Sequence, residues 1–174
     1  MRLVKRAALF AFFGVAFFAH WLVVTPSFEA SPTQGEWPYV LWFSAIILTL
    51  AFVVPQFAQL VGGSFPFRAS LVVAAGAVLS SAANVLEDGL KMDWAFLAFI
   101  AGLVIIYIGL LALTLALVAR GRMRQFALVP AGTVAALVFY VFAGGPLMLA
   151  AWLLAAALAL VPLRERSATV PTTP

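Results

Sequence analysis

The chain has 174 residues, 66% hydrophobic and 9% charged, with a mean hydropathy of +1.14. A soluble domain is about 25% charged, so a water-covered globule is excluded and the composition is that of an integral membrane protein. The absence of cysteine excludes disulfides, thiolate metal sites and a cysteine nucleophile, and a single histidine, His20, excludes a multi-histidine metal centre within one chain.

Arg2, Lys5 and Arg6 precede an apolar run that ends at Thr25-Pro26. The run resembles the charged start and apolar core of a signal peptide. It is too long for one, and Phe17 before Ala19 and Phe28 before Ala30 break the small-x-small cleavage pattern. It is read as a retained membrane helix over 5–25. Gly14 within it is expected to face lipid.

Residues 26–37 form a polar loop with two glutamates and no base. The second helix is expected over 38–61, with Pro55, Gln56 and Gln59 near its far end. Proline in a helix frees a carbonyl, so the amides either patch a kink or line a gate. Gly62-Gly63 closes this helix. Pro66 opens the third, over 66–88, because proline in a first turn loses no needed hydrogen bond.

The third helix ends in the most polar stretch inside the apolar sequence. Steps of four connect Gly76, Ser80, Asn84 and Asp88, flanked by Ser81 and Glu87, and such steps share one helix face. Gly76, Ser80 and Ser81 are read as a stripe for close helix packing in lipid, with Ala98 and Gly102 of the fourth helix as its expected counterpart. Gly89 is expected as the helix C-cap and Asp93 as the N-cap of the next helix. Glu87 and Asp88 oppose their own helix dipole. One reading leaves them as solvated loop charges. The other makes Asn84, Glu87 and Asp88 a polar mouth for a small ligand, with His20 at a similar depth as a fourth member or as a proton partner of either carboxylate.

The fourth helix is expected over 94–119, followed by the basic turn Arg120–Arg124. From Gln125 to Leu163 there are 39 residues without a charge, about twice the ~20 that one span needs. Splitting them at Ala143-Gly144-Gly145-Pro146 gives helices over 125–143 and 146–163. Residues 1–166 then form one six-helix domain, and 167–174 a disordered tail. Gly144-Gly145-Pro146 also parallels Gly62-Gly63 and Pro66, which raises an inverted repeat, although such dipeptides are ordinary turn chemistry.

With alternating helices, nine of ten basic residues fall on one side, leaving only Lys91 opposite. Five of six acids fall on the Lys91 side, as do Trp21, Trp37, Tyr39, Trp42, Trp94 and Tyr140. Basic residues mark the cytoplasmic face and aromatic belts mark interfaces. The fold expected is therefore an all-α bundle of six membrane helices with both termini cytoplasmic, in a cell membrane of the bacterial inner-membrane kind. The net charge of +4 serves orientation, so no nucleic-acid partner is expected. Partners are the bilayer and a membrane-protein partner or second copy. No catalytic, phosphate-loop or dinucleotide motif occurs, and no cofactor or metal is expected. The leading function is a non-enzymatic membrane protein with an outward polar site near the end of the third helix. The alternatives are a secondary transporter, and an intramembrane enzyme using His20 with Glu87 or Asp88.

Overall fold

The computed structural model describes residues 2–24, 37–121 and 124–161. Most of the 26–37 loop, with Glu29 and Glu36, and the tail at 167–174 lie outside the described residues. Six α-helices are present: α1 (Arg2–Val24), α2 (Trp37–Val61), α3 (Ser64–Asn84), α4 (Ala95–Val118), α5 (Leu128–Val138) and α6 (Gly145–Leu160). No strand occurs among the described residues.

Among the described residues five helical stretches are long and apolar enough to cross a membrane: Leu3–Val24, Trp37–Val61, Ser64–Gly89, Ala95–Val118 and Phe142–Leu160. The fifth helix differs from the expected 125–143. It begins as a 3-10 turn at Arg124–Ala127, its α-helical part has 11 residues, and Phe139 departs from helical geometry with ψ 30°. The turn then winds as a π-helix over Tyr140–Gly144 directly into α6.

Every neighbouring pair packs antiparallel. Ser44 meets Ser81 between α2 and α3, and Ser80 meets Phe99 between α3 and α4. Gly132 opposes Ala151 between α5 and α6, and Arg6 meets Gln56 and Gln59 between α1 and α2. The most extensive packing joins α3 to α4 and to α2, and α1 to α6, whereas α1 against α2 and α4 against α5 touch far less. The bundle thus has two tight units, α2–α3–α4 and α1–α6, meeting along a looser seam, with α5 set against both α4 and α6.

Glycine and serine explain the first unit. A Cβ on Gly76 would lie 2.7 Å from the Gly102 carbonyl oxygen, and one on Gly109 would lie 2.9 Å from the Val73 nitrogen. The α3 and α4 backbones therefore touch directly, the close approach that small residues permit in lipid. Aromatic rings organise the second unit. Trp152 of α6 packs on Phe10 at 5.6 Å, Phe13 at 5.1 Å and, across the seam, Phe57 at 6.2 Å, in tilted or edge arrangements. Gly14 does not face lipid. It is buried, and a Cβ there would stand 3.2 Å from the Trp152 Cβ, because α1 needs a small residue where the α6 backbone crosses it.

The two Gly-Gly pairs have different tasks. Gly62 and Gly63 have φ of +77° and +92°, the left-handed region that favours glycine. Gly144 and Gly145 are helical, and their missing side chains admit the Ala136 carbonyl and the Trp21 ring. The shared dipeptide therefore does not mark a repeated turn.

Candidate functional site

The polar stripe of α3 is engaged largely by its neighbours. Ser80 Oγ donates to the Phe99 carbonyl at 3.0 Å and Ser81 Oγ to the Ser44 carbonyl at 2.9 Å. Asn84 is 3% exposed, and its Nδ2 donates to Ser44 Oγ at 3.0 Å and to the Val40 carbonyl at 3.4 Å. Buried polar groups need such partners, and here two helices, α2 and α4, supply them. Ser44 had no part in the expected site. Its signal was geometric: in a hairpin folded about Gly62-Gly63, Ser44 and Ser81 stand at equal distance from the turn.

Beyond Asn84 the helix widens into a π-helical turn, Val85–Gly89, that carries Glu87 and Asp88. Both are half-buried. Among the described residues neither accepts a hydrogen bond nor closes an ion pair, and Lys91 is exposed nearby. Gly89 is not the left-handed cap. That conformation falls on Lys91, with φ 59°, while the Leu90 and Met92 amides return to the Val85 and Leu86 carbonyls at 3.1 and 3.0 Å. The extra residue in the π turn moves the reversal two positions on. Gly89 instead makes room for the Trp37 ring, which a Cβ would approach to 2.8 Å. Asp93 does not cap α4 with its side chain. The start of α4 is closed by backbone turns, Ala95 N–H to the Met92 carbonyl at 2.8 Å and Phe96 N–H to the Asp93 carbonyl at 3.2 Å.

His20 is 2% exposed. Its ring stacks on Phe43 at 5.4 Å and meets Trp42 edge-on at 5.3 Å, and no hydrogen bond or ion pair joins it to Glu87 or Asp88. Among the described residues its buried Nδ1 finds no hydrogen bond, and neither do Tyr140 Oη and Trp152 Nε1.

At the opposite end, Pro55 lies inside α2 without ending it. Gln56 and Gln59 face α1, where Arg6 donates from Nε to Gln56 Oε1 at 3.1 Å and from Nη2 to Gln59 Oε1 at 2.9 Å. Arg120 Nη1 donates to the Gly62 carbonyl at 2.6 Å and so ties α4 to the end of α2. Of the expected site residues, the fold thus brings Asn84, Glu87 and Asp88 to one helix end, sets His20 in an aromatic box, and joins Gln56 and Gln59 to a basic residue. No three His, Asp or Glu side chains among the described residues converge as a metal site. No family model, curated protein or solved structure matches the chain.

Proposed function

We propose that this chain is a non-enzymatic multi-pass protein of a cell membrane, with both termini cytoplasmic, whose external Glu87–Asp88 turn binds a cationic group. That group belongs to a small organic ligand or to a partner subunit. One observation carries the reading: two half-buried carboxylates share one turn, and among the described residues no ion pair closes on them. Trp37 stands beside them, half-exposed, with its ring over Gly89. A carboxylate next to an aromatic face suits an ammonium or guanidinium, which gains both Coulomb and cation–π attraction.

The orientation rests on charge. Arg6, Arg68, Arg120 and Arg124 gather where α1 begins, and the acidic turn lies at the other end. Cysteines introduced into the natively cysteine-free chain at the 26–37, 87–93 and 143–146 segments should react with an impermeant thiol reagent from outside. Those at 62–68, 120–124 and the tail should not. Transport would require a polar path from Asp88 to Gln56 and Gln59, whose amides hold Arg6. An intramembrane enzyme would require His20 within about 3 Å of a carboxylate, or one water away.

The test is calorimetric titration of purified wild type, Asp88→Asn and Trp37→Ala with choline and with arginine ethyl ester, alongside crosslinking in membranes from a cysteine at Leu90. Saturable binding by either cation, weakened about tenfold in Asp88→Asn at unchanged helicity, supports a free ligand. A discrete crosslinked subunit lost in Asp88→Asn supports a partner. The absence of both results refutes the proposal.

A further inference from the structure

A cavity of about 200 Å³ lies in the seam between the two tight units, walled by residues of α1, α2 and α4 and by Leu137 and Tyr140 at the end of α5. It is larger than the ~150 Å³ apolar cavity that stays dry in water and takes up benzene. Its lining is hydrocarbon and aromatic carbon except for two tyrosines, Tyr107 and Tyr140. Water needs two to four polar partners to be held in a cavity, and this lining offers at most two, the hydroxyls of Tyr107 and Tyr140.

Its shape has a direction. Phe17, Phe43 and Tyr140 line it toward the end that carries the acidic turn, while Phe13, Leu50 and Ile106 line it near the middles of their helices. At 1.5 Å per residue, Phe43 to Leu50 spans about 10 Å along the bundle. It therefore extends from near one membrane interface toward the midplane, the course of one leaflet's acyl chains in a core ~30 Å thick. The Tyr140 hydroxyl is buried and has no hydrogen-bond partner among the described residues, a costly state for a buried donor.

We propose that this seam cavity holds the acyl chain of a lipid, with its carbonyl oxygen accepting a hydrogen bond from Tyr140 Oη and its methylenes running inward past Ile47 and Leu103. The acyl chain comes from a membrane phospholipid or from a free fatty acid, since both present a carbonyl oxygen on a hydrocarbon chain. This site is separate from the acidic turn and does not depend on its function.

The experiment is photolabelling with diazirine-bearing palmitate in detergent and with diazirine-bearing phosphatidylcholine in liposomes, mapped by peptide mass spectrometry. Labelling at Leu103, Tyr107 or Tyr140 above the level at lipid-facing Leu97 is expected, with competition by unlabelled palmitate in the first arm. Palmitate labelling alone assigns a fatty-acid site, and labelling from phosphatidylcholine a phospholipid site. Leu103→Trp, which fills the cavity, should abolish the cavity labels and spare Leu97. Tyr140→Phe keeps the ring and should weaken palmitate retention about fivefold to tenfold, as loss of one hydrogen bond does. Cavity labels no stronger than Leu97 in both arms overturn the proposal, as do labels that persist in a folded Leu103→Trp. If Leu103→Trp does not fold, the wild-type map and Tyr140→Phe decide, and unchanged retention in Tyr140→Phe removes the carbonyl contact.

Discussion

Gly76→Ala should destabilise the bundle by about 1–2 kcal/mol, although alanine is the better helix former. In a helix interior the exchange gains up to ~1 kcal/mol of propensity. Opposing that gain, the new Cβ would stand 2.7 Å from the Gly102 oxygen and 2.8 Å from the Ile106 nitrogen. Ordinary contact begins at 3.4 Å, so α3 and α4 must part by 0.7 Å (3.4 − 2.7). A gap of ~0.5–1 Å forfeits a quarter to a half of the local dispersion well, and overpacking costs ~1–3 kcal/mol. The separation also stretches the Ser80–Phe99 bond, now 3.0 Å. Gly14→Ala is the milder comparison, because its Cβ would meet the Trp152 Cβ at 3.2 Å and the Leu149 carbonyl oxygen only at 3.4 Å, so the excess is a few tenths of an ångström. It should be near neutral. The assay is reversible unfolding of both variants in mixed micelles with rising dodecyl sulfate, followed by far-ultraviolet circular dichroism. A Gly76→Ala protein as stable as wild type, or as Gly14→Ala, would refute direct backbone contact between α3 and α4.

In the same assay, Asn84→Ala and Ser44→Ala should show a coupling of about 0.6 kcal/mol, and no more than about 1.7, as interhelical bonds in bilayers do; a zero coupling energy in the double-mutant cycle would remove the Asn84–Ser44 bond. Trp21→Phe deletes the indole donor that meets the Tyr140 carbonyl at 2.6 Å, so stability should fall by about 0.5–1.5 kcal/mol and the π turn should exchange its amide hydrogens faster. Arg6→Ala should cost less than about 1 kcal/mol, since its bonds lie at the bundle's edge. Its mark should be severalfold faster hydrogen exchange over residues 56–61, and unchanged exchange there would show that the clamp does not order that end of α2.

Most of the helices were legible in the sequence because hydrocarbon imposes them: a chain in lipid must bond its own backbone, so apolar runs become helices, but the fifth fell short of the span expected for it. The α2 and α4 runs ended within a residue or so of the observed limits. The Gly76 stripe could be seen as small residues at helical spacing, but not that Gly102 and Gly109 would bring two backbones into contact. Gly14 shows the limit. On an all-apolar helix, hydropathy does not distinguish lipid from a neighbouring helix, and only the docking of α6 decides. The same holds for the polar residues. Asn84 could be recognised as costly in lipid, yet whether it faced a ligand or Ser44 depended on the α2–α3 crossing. The displaced cap, from Gly89 to Lys91, followed from a single extra residue in a π turn, which hydrophobic periodicity does not encode. The seam cavity was invisible in the sequence, because a void is a failure of two packed units to fill their interface and no residue carries it. Composition determined which segments are long and apolar enough to cross a bilayer, while tertiary packing alone decided which faces meet, since in lipid the hydrophobic effect no longer distinguishes inside from outside.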